Sequence, residues 1–119
     1  MKSPDKEKTM KEKASKYIID FENVSYYKEL HETIRESLEF PAYYGCNWDA
    51  FWDCITDIAG EPIHILIKNL EVIQQEKFAN EAEYLINSLK EFKHYANDLY
   101  ADTILIEIID QNGNVTVLE

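Results

Sequence analysis

Tyr43-Tyr44-Gly45-Cys46-Asn47-Trp48-Asp49-Ala50-Phe51-Trp52-Asp53-Cys54-Ile55-Thr56 is the stretch from which the fold of this chain can be read. Asn47 can cap a helix, because its side-chain oxygen accepts a hydrogen bond from a first-turn N–H that has no helical partner. Trp48, Phe51, Trp52, Ile55 and Ile58 follow at spacings of three, one, three and three, and Gly60 and Pro62 close the helix they define. Immediately after, Ile63 to Lys68 is β-branched and apolar without clean alternation, as a buried parallel strand should be.

Working outward, Pro41-Ala42-Tyr43-Tyr44-Gly45 forms a turn-like connection from an earlier helix. In that helix Tyr27, Leu30, Ile34 and Leu38 make one apolar stripe, and Glu29, Glu32, Arg35, Glu36 and Glu39 occupy the wet side. Asn23 and Ser25 offer N-cap chemistry, and Pro41 ends the helix by disfavouring helical geometry at Phe40. Tyr17 to Phe21 reads as the first strand. Downstream, Asn69 opens a connection through Glu71 and Gln75. Phe78, Ala82, Leu85, Ile86, Leu89, Phe92 and Ala96 stripe a third helical region, either one helix or a short one followed by a long one. Thr103 to Ile109 is the most β-like run. Asn112-Gly113, before Val115-Thr116-Val117, signals a hairpin into a closing antiparallel strand. The order β-α-α-β-α-β-β implies an α/β fold, a small and mostly parallel sheet packed with helices.

The 119 residues fit one domain and can bury a core without disulfides or metals. Acidic residues number 23 against 12 basic, a formal net charge of −11. Residues 1–16 hold six lysines and three acids and read as a Lys-rich flexible tail; the domain, residues 17–119, is left with 20 acids and six bases. A body so acidic repels nucleic acid and anionic membrane and attracts cationic partners, although an acidic surface also serves solubility alone. No segment has the length and apolarity of a signal peptide or a membrane span. Cys46 and Cys54 suggest neither a disulfide framework nor a zinc site, so free thiols in a cytoplasmic protein are expected.

Asp49 and Asp53 are four residues apart, so on a helix they stack one above the other, at a cost of about 0.2–0.5 kcal/mol for like charges. Trp52 and Thr56 border that face. The bland reading is a solvated helix face. The concentration of Tyr43, Tyr44, Trp48 and Trp52 beside it favours an interface, because Tyr and Trp are enriched among residues that carry binding energy. Trp48 and Phe51 belong to the core stripe, whereas Trp52 can straddle core and surface.

Leu30-His31 through Leu38, then Pro41-Ala42-Tyr43-Tyr44-Gly45, Asn47, Asp49-Ala50, Trp52-Asp53-Cys54 and Thr56, resemble the barstar family of ribonuclease inhibitors, with a likeness spanning roughly residues 17–110. The resemblance implies a three-stranded parallel sheet with packed helices. It also implies a partner surface built from Tyr43, Asp49, Trp52, Asp53 and Thr56, joined by a Glu of the later long helix, for which Glu91 fits best. Asp57 stands where the family usually has Gly, Cys46 and Trp48 depart from its acidic and aliphatic residues, and the Asn112-Gly113 hairpin and the Lys-rich segment lie outside the likeness.

The function so implied is occlusion of a cationic, barnase-like ribonuclease of the extracellular type by a monomeric inhibitor that performs no chemistry and needs no cofactor or metal. One rival is an acidic module of the same fold whose basic partner is not a ribonuclease, a reading that Asp57 and Cys46 support. Another is an enzyme using Asp49 and Asp53 as an acid/base pair, but carboxylates one helical turn apart do not straddle a sugar. A metal site adding His64 meets the difficulty that His64 lies in an apolar strand, where it reads as a core histidine. His31 and His94 lie on helices without ligand-spaced partners.

Overall fold

The β-branched runs pair side by side. The computed structural model describes residues 14–100 and 103–119. Strands β1 (Ser15–Asp20), β2 (Ile63–Lys68) and β3 (Ile104–Ile109) form a parallel sheet, to which β4 (Val115–Val117) adds antiparallel to β3, in the order β1-β2-β3-β4. The registers Tyr17↔Ile65↔Ile106 and Ile19↔Ile67↔Ile108 put alternate residues on one face. On that face Ile19, Ile63, Ile65, Ile67 and Ile106 are buried among residues of the helices. The other face holds a buried polar pair, His64 of β2 and Glu107 of β3, with Nε2 and Oε1 2.7 Å apart. His64 is thus a partnered histidine inside the sheet.

The helices are α1 (Tyr27–Ser37), α2 (Trp48–Asp57), α3 (Leu70–Ile73) and α4 (Ala79–Tyr100), with a 3-10 turn at Glu76–Phe78. Their apolar stripes meet the sheet and one another through Leu30, Ile34, Phe51, Ile55, Leu85, Leu89 and Phe92, all fully buried. The expected α/β architecture and element order hold. The third helical region is one long helix, α4, entered through the 3-10 turn, while the stretch read as a connection after Asn69 contains the one-turn α3, which begins where Asn69 turns left-handed (φ 58°) after β2.

Boundaries differ where hydrogen bonding overrides local pattern. β1 starts at Ser15, not Tyr17, because Ser15 N–H donates to the Pro62 carbonyl (3.0 Å), and Ser15 and Lys16 pair with Ile63 and His64. Residues 1–13 of the expected tail lie outside the described residues. Neither Asn23 nor Ser25 caps α1. The cap position is Tyr26, without a side-chain bond, and Ser25 N–H donates instead to the Glu29 carboxylate (2.7 Å). Nor does α1 run on to the residue before Pro41. Phe40 N–H reaches back to Arg35 C=O (2.9 Å) and Glu39 N–H to Glu36 C=O (3.3 Å), with Glu39 left-handed at φ 58°. This is a Schellman ending built without glycine. Tyr27, read as part of the core stripe, is exposed.

The hairpin forms where expected, but its loop has three residues. Asp110 N–H donates to Asn114 C=O (3.0 Å), Gly113 N–H to Asp110 C=O (3.1 Å), and Gly113 takes φ 85°, the left-handed position such loops reserve for glycine. The Asp110 carboxylate accepts from the Asn114 and Asn112 N–H groups, which hold its pKa below the usual value.

Candidate functional site

The loop Phe40 to Cys46 delivers the chain to α2, and its capping is local chemistry. Asn47, extended at φ −146°, accepts the Ala50 N–H through Oδ1 (2.8 Å), while its Nδ2 donates to Gly45 C=O (3.3 Å). One amide therefore closes the loop and starts the helix. The inner face of α2 is anchored by Phe51, Cys54 and Ile55, all buried. Its outer face is consequently fixed, and the 3.6-residue period places Asp49, Asp53 and Asp57 in one row, successive carboxylates about 6 Å apart along the axis. All three are exposed, and among the described residues no cation pairs with any of them. The row ends at the helix C-terminus, where Asp57 meets the negative end of the helix dipole with no basic residue in the last turn.

Aromatic rings flank the row. Tyr43, at the loop tip, is 81% exposed. Trp52 is half-buried, as its straddling position requires, and meets Tyr95 of α4 edge-on at 5.8 Å between centroids. Trp48 is likewise only partly buried: it packs on Phe51 (5.5 Å) and stacks on Tyr84 of α4 (6.1 Å, 19° between planes). Tyr44, by contrast, is core. The Thr56 hydroxyl turns back to donate to Trp52 C=O (2.8 Å), with Asp53 C=O also in reach (3.2 Å), so it braces the helix while staying partly accessible.

Of the residues singled out in the sequence, Asp49, Trp52, Asp53 and Thr56 share α2, and Tyr43 stands at the loop that leads into it. Glu91 is exposed on α4, one turn before Tyr95, which places it next to the α2–α4 seam. Tyr84 (57% exposed) and Tyr95 were not singled out in the sequence. They lie off the buried stripe of α4, and only packing of that helix against α2 gives them a role.

Behind the loop sits a residue whose environment the sequence did not reveal. His31 of α1 is fully buried, ringed by Tyr27 (4.8 Å), Trp48 (4.7 Å) and Tyr44 (5.7 Å). Its Nδ1 lies 2.6 Å from the Tyr44 hydroxyl, and its Nε2 has no hydrogen-bond partner among the described residues. Burial disfavours the charged ring and lowers its pKa from 6.5 to about 4. The same burial raises the Tyr44 pKa. Cys54 is raised by burial and by the neighbouring Asp57 and Asp53, so its thiol stays protonated.

Among the described residues no three His, Cys, Asp or Glu side chains gather as a metal site would require, and no helix is long and apolar enough to cross a membrane. What the surface offers is charge and rings: three exposed carboxylates beside two indoles and three exposed tyrosines.

Comparison with known proteins bears on the chain as a whole. The family model described as "Barstar (barnase inhibitor)" matches residues 14–106. A Bacillus subtilis (strain 168) protein named "Putative ribonuclease inhibitor YrdF" is 44% identical over 52 residues, which amount to 44% of this chain and 54% of that protein. The chain thus spans about half the length of that curated relative.

Proposed function

Because the matched family model covers most of its length, the chain belongs to the barstar family, and from that premise we propose that it inhibits a ribonuclease by laying the α2 surface over a cationic active site. The observation that carries this reading is the pair Asp49 and Asp53, exposed, without a cation partner among the described residues, and one turn apart beside Trp52. A site that holds RNA phosphates is lined with cationic groups, and carboxylates on a rigid helix can occupy it without offering a bond to cleave. Asp53 is the central anchor and Asp49 its support. Tyr43, Trp52 and Thr56 exclude water around them, and Glu91 adds a contact from α4. Inhibition is competitive occlusion with no chemistry on the inhibitor and no cofactor, and it fits a cytoplasmic protein that guards against an extracellular-type, barnase-like enzyme.

Titration of the purified protein against a barnase-type ribonuclease, with RNA cleavage as readout, tests the reading. Wild type inhibits; Asp53→Ala keeps its fold by circular dichroism and binds at least a hundredfold more weakly. Truncating one side of such a pair costs about 2–5 kcal/mol, a range for which this family's own complex is the standard example. Unchanged affinity in Asp53→Ala would move the site elsewhere.

Asp57 favours a second reading, a basic partner that is not a ribonuclease. A carboxylate in place of the glycine that the resemblance leads one to expect lengthens the acidic row and hinders close backbone approach. Absence of inhibition at micromolar protein, with capture of another basic protein that Asp53→Ala abolishes, would select it.

A further inference from the structure

The loop that carries Tyr43 and starts α2 is held from behind by α1, and we propose that Tyr27 and His31 are positioning residues for the recognition surface. The two are four residues apart on α1 and so face the same way. Each reaches a different part of the loop. Tyr27 Oη donates to Cys46 C=O (3.2 Å), and His31 Nδ1 pairs with Tyr44 Oη (2.6 Å). Tyr44 Oη in turn lies 3.4 Å from the carbonyl of Asn47, the residue that caps α2.

The loop needs such support. Cys46 is left-handed at φ 56°, a conformation that a residue with a Cβ adopts only when its surroundings impose it. The two held carbonyls, Cys46 and Asn47, are that residue's own and the next one's. The buried imidazole also fills the space between α1 and Trp48, so one side chain sets both the loop and the first turn of α2, where Asp49 stands. Tyr43 itself touches little and depends on its neighbours for its place. Binding is strengthened when such a surface is already ordered, because less freedom is lost on association.

The inference rests on the inhibitor reading for its consequence but not for its test. Amide hydrogen exchange by NMR on the free protein compares wild type, Tyr27→Phe, His31→Leu and His31→Asn. The probes are the N–H groups of Tyr44, Ala50 and Phe51, whose acceptors lie in the loop and cap. Their exchange rates are divided by those of β2 amides to remove any global loss of stability. A hydrogen bond of ordinary net strength corresponds to about a fivefold change in a local opening equilibrium. The ratio should therefore rise about fivefold in Tyr27→Phe and further in His31→Leu. It should fall back toward wild type in His31→Asn, whose amide N–H can donate to the Tyr44 hydroxyl oxygen and leave the Tyr44 proton for the Asn47 carbonyl. Tyr27→Phe and His31→Leu should inhibit a barnase-type ribonuclease about fivefold or more weakly, with His31→Asn closer to wild type. An unchanged ratio, or His31→Asn no better than His31→Leu, overturns the positioning role even where wild type inhibits. A raised and rescued ratio in a protein that inhibits no ribonuclease upholds the positioning role and removes the ribonuclease reading alone.

Discussion

His31 makes the acid stability of this protein calculable. The folded chain holds the ring neutral down to about pH 4, whereas in the unfolded chain it titrates at its ordinary 6.5. Between those values the unfolded state binds the extra proton, so stability falls as pH falls. Its contribution is complete above pH 6.5, is lost progressively toward pH 4, and changes no further below. A gap of about 2.5 units at about 1.4 kcal/mol per unit gives a loss of roughly 3 kcal/mol. That is a large share of the 5–15 kcal/mol typical of a domain. The physical cause is that a charged ring would sit fully buried with Nε2–H unpartnered. The acidic body works in the opposite sense, because protonating carboxylates below about pH 5 relieves their mutual repulsion, so wild type alone would show a blurred slope. Urea unfolding at a series of pH values from 8 to 4, on wild type and His31→Asn, removes that background by difference. The stability advantage of wild type over the variant should shrink by roughly 3 kcal/mol across the series. A constant difference from pH 8 to 4 would refute the argument, as would an imidazole that titrates near 6.5 by NMR in the folded protein.

Three further outcomes follow from α2. Asn47→Ala removes the acceptor of the Ala50 N–H and should cost about 1 kcal/mol in urea unfolding; a loss within error of zero would mean the cap is dispensable. Asp57→Asn removes a like charge one turn from Asp53 and an anion at the negative helix end, and should raise stability by about 0.5 kcal/mol; a decrease would show that Asp57 has a stabilising partner. Association with a cationic ribonuclease should slow as salt rises from about 0.01 to 0.15 M, where the screening length falls from roughly 30 to 8 Å; a salt-independent stopped-flow rate would remove steering from the mechanism.

The parts of this molecule that were legible in the sequence are those decided within a few residues. Capping by Asn47 is chemistry between neighbours, and the stacking of Asp49 on Asp53 follows from helical period alone. The strands announce themselves by β-branched runs, and Asn112-Gly113 marks its hairpin. Legibility failed where distant segments decide. Tyr84 and Tyr95 look like ordinary surface residues of α4 until Trp48 and Trp52 are laid against them. His31 is a polar residue beside a core leucine, and nothing local says that three aromatic rings will enclose it. The end of α1 was misplaced because Glu39 takes a left-handed turn that glycine usually makes, under the hold of two backbone hydrogen bonds. Glu91 is reached only through resemblance, and its neighbourhood only through the contact of Trp52 with Tyr95.

The two faces of α2 divide labour in a way the energies make plain. The outer row of Asp49, Asp53 and Asp57 costs the helix about 1 kcal/mol in like-charge pairs and an opposed dipole. The inner face returns several times that, since burying Phe51 and Ile55 alone is worth about 1.5–3 kcal/mol each. A helix held so firmly from within need not neutralise its own outer charges to stay folded. The carboxylates can therefore remain unpaired until a cationic partner supplies the missing charge. On this argument substitutions in the outer row change binding and leave folding nearly untouched, while substitutions on the inner face lose both together.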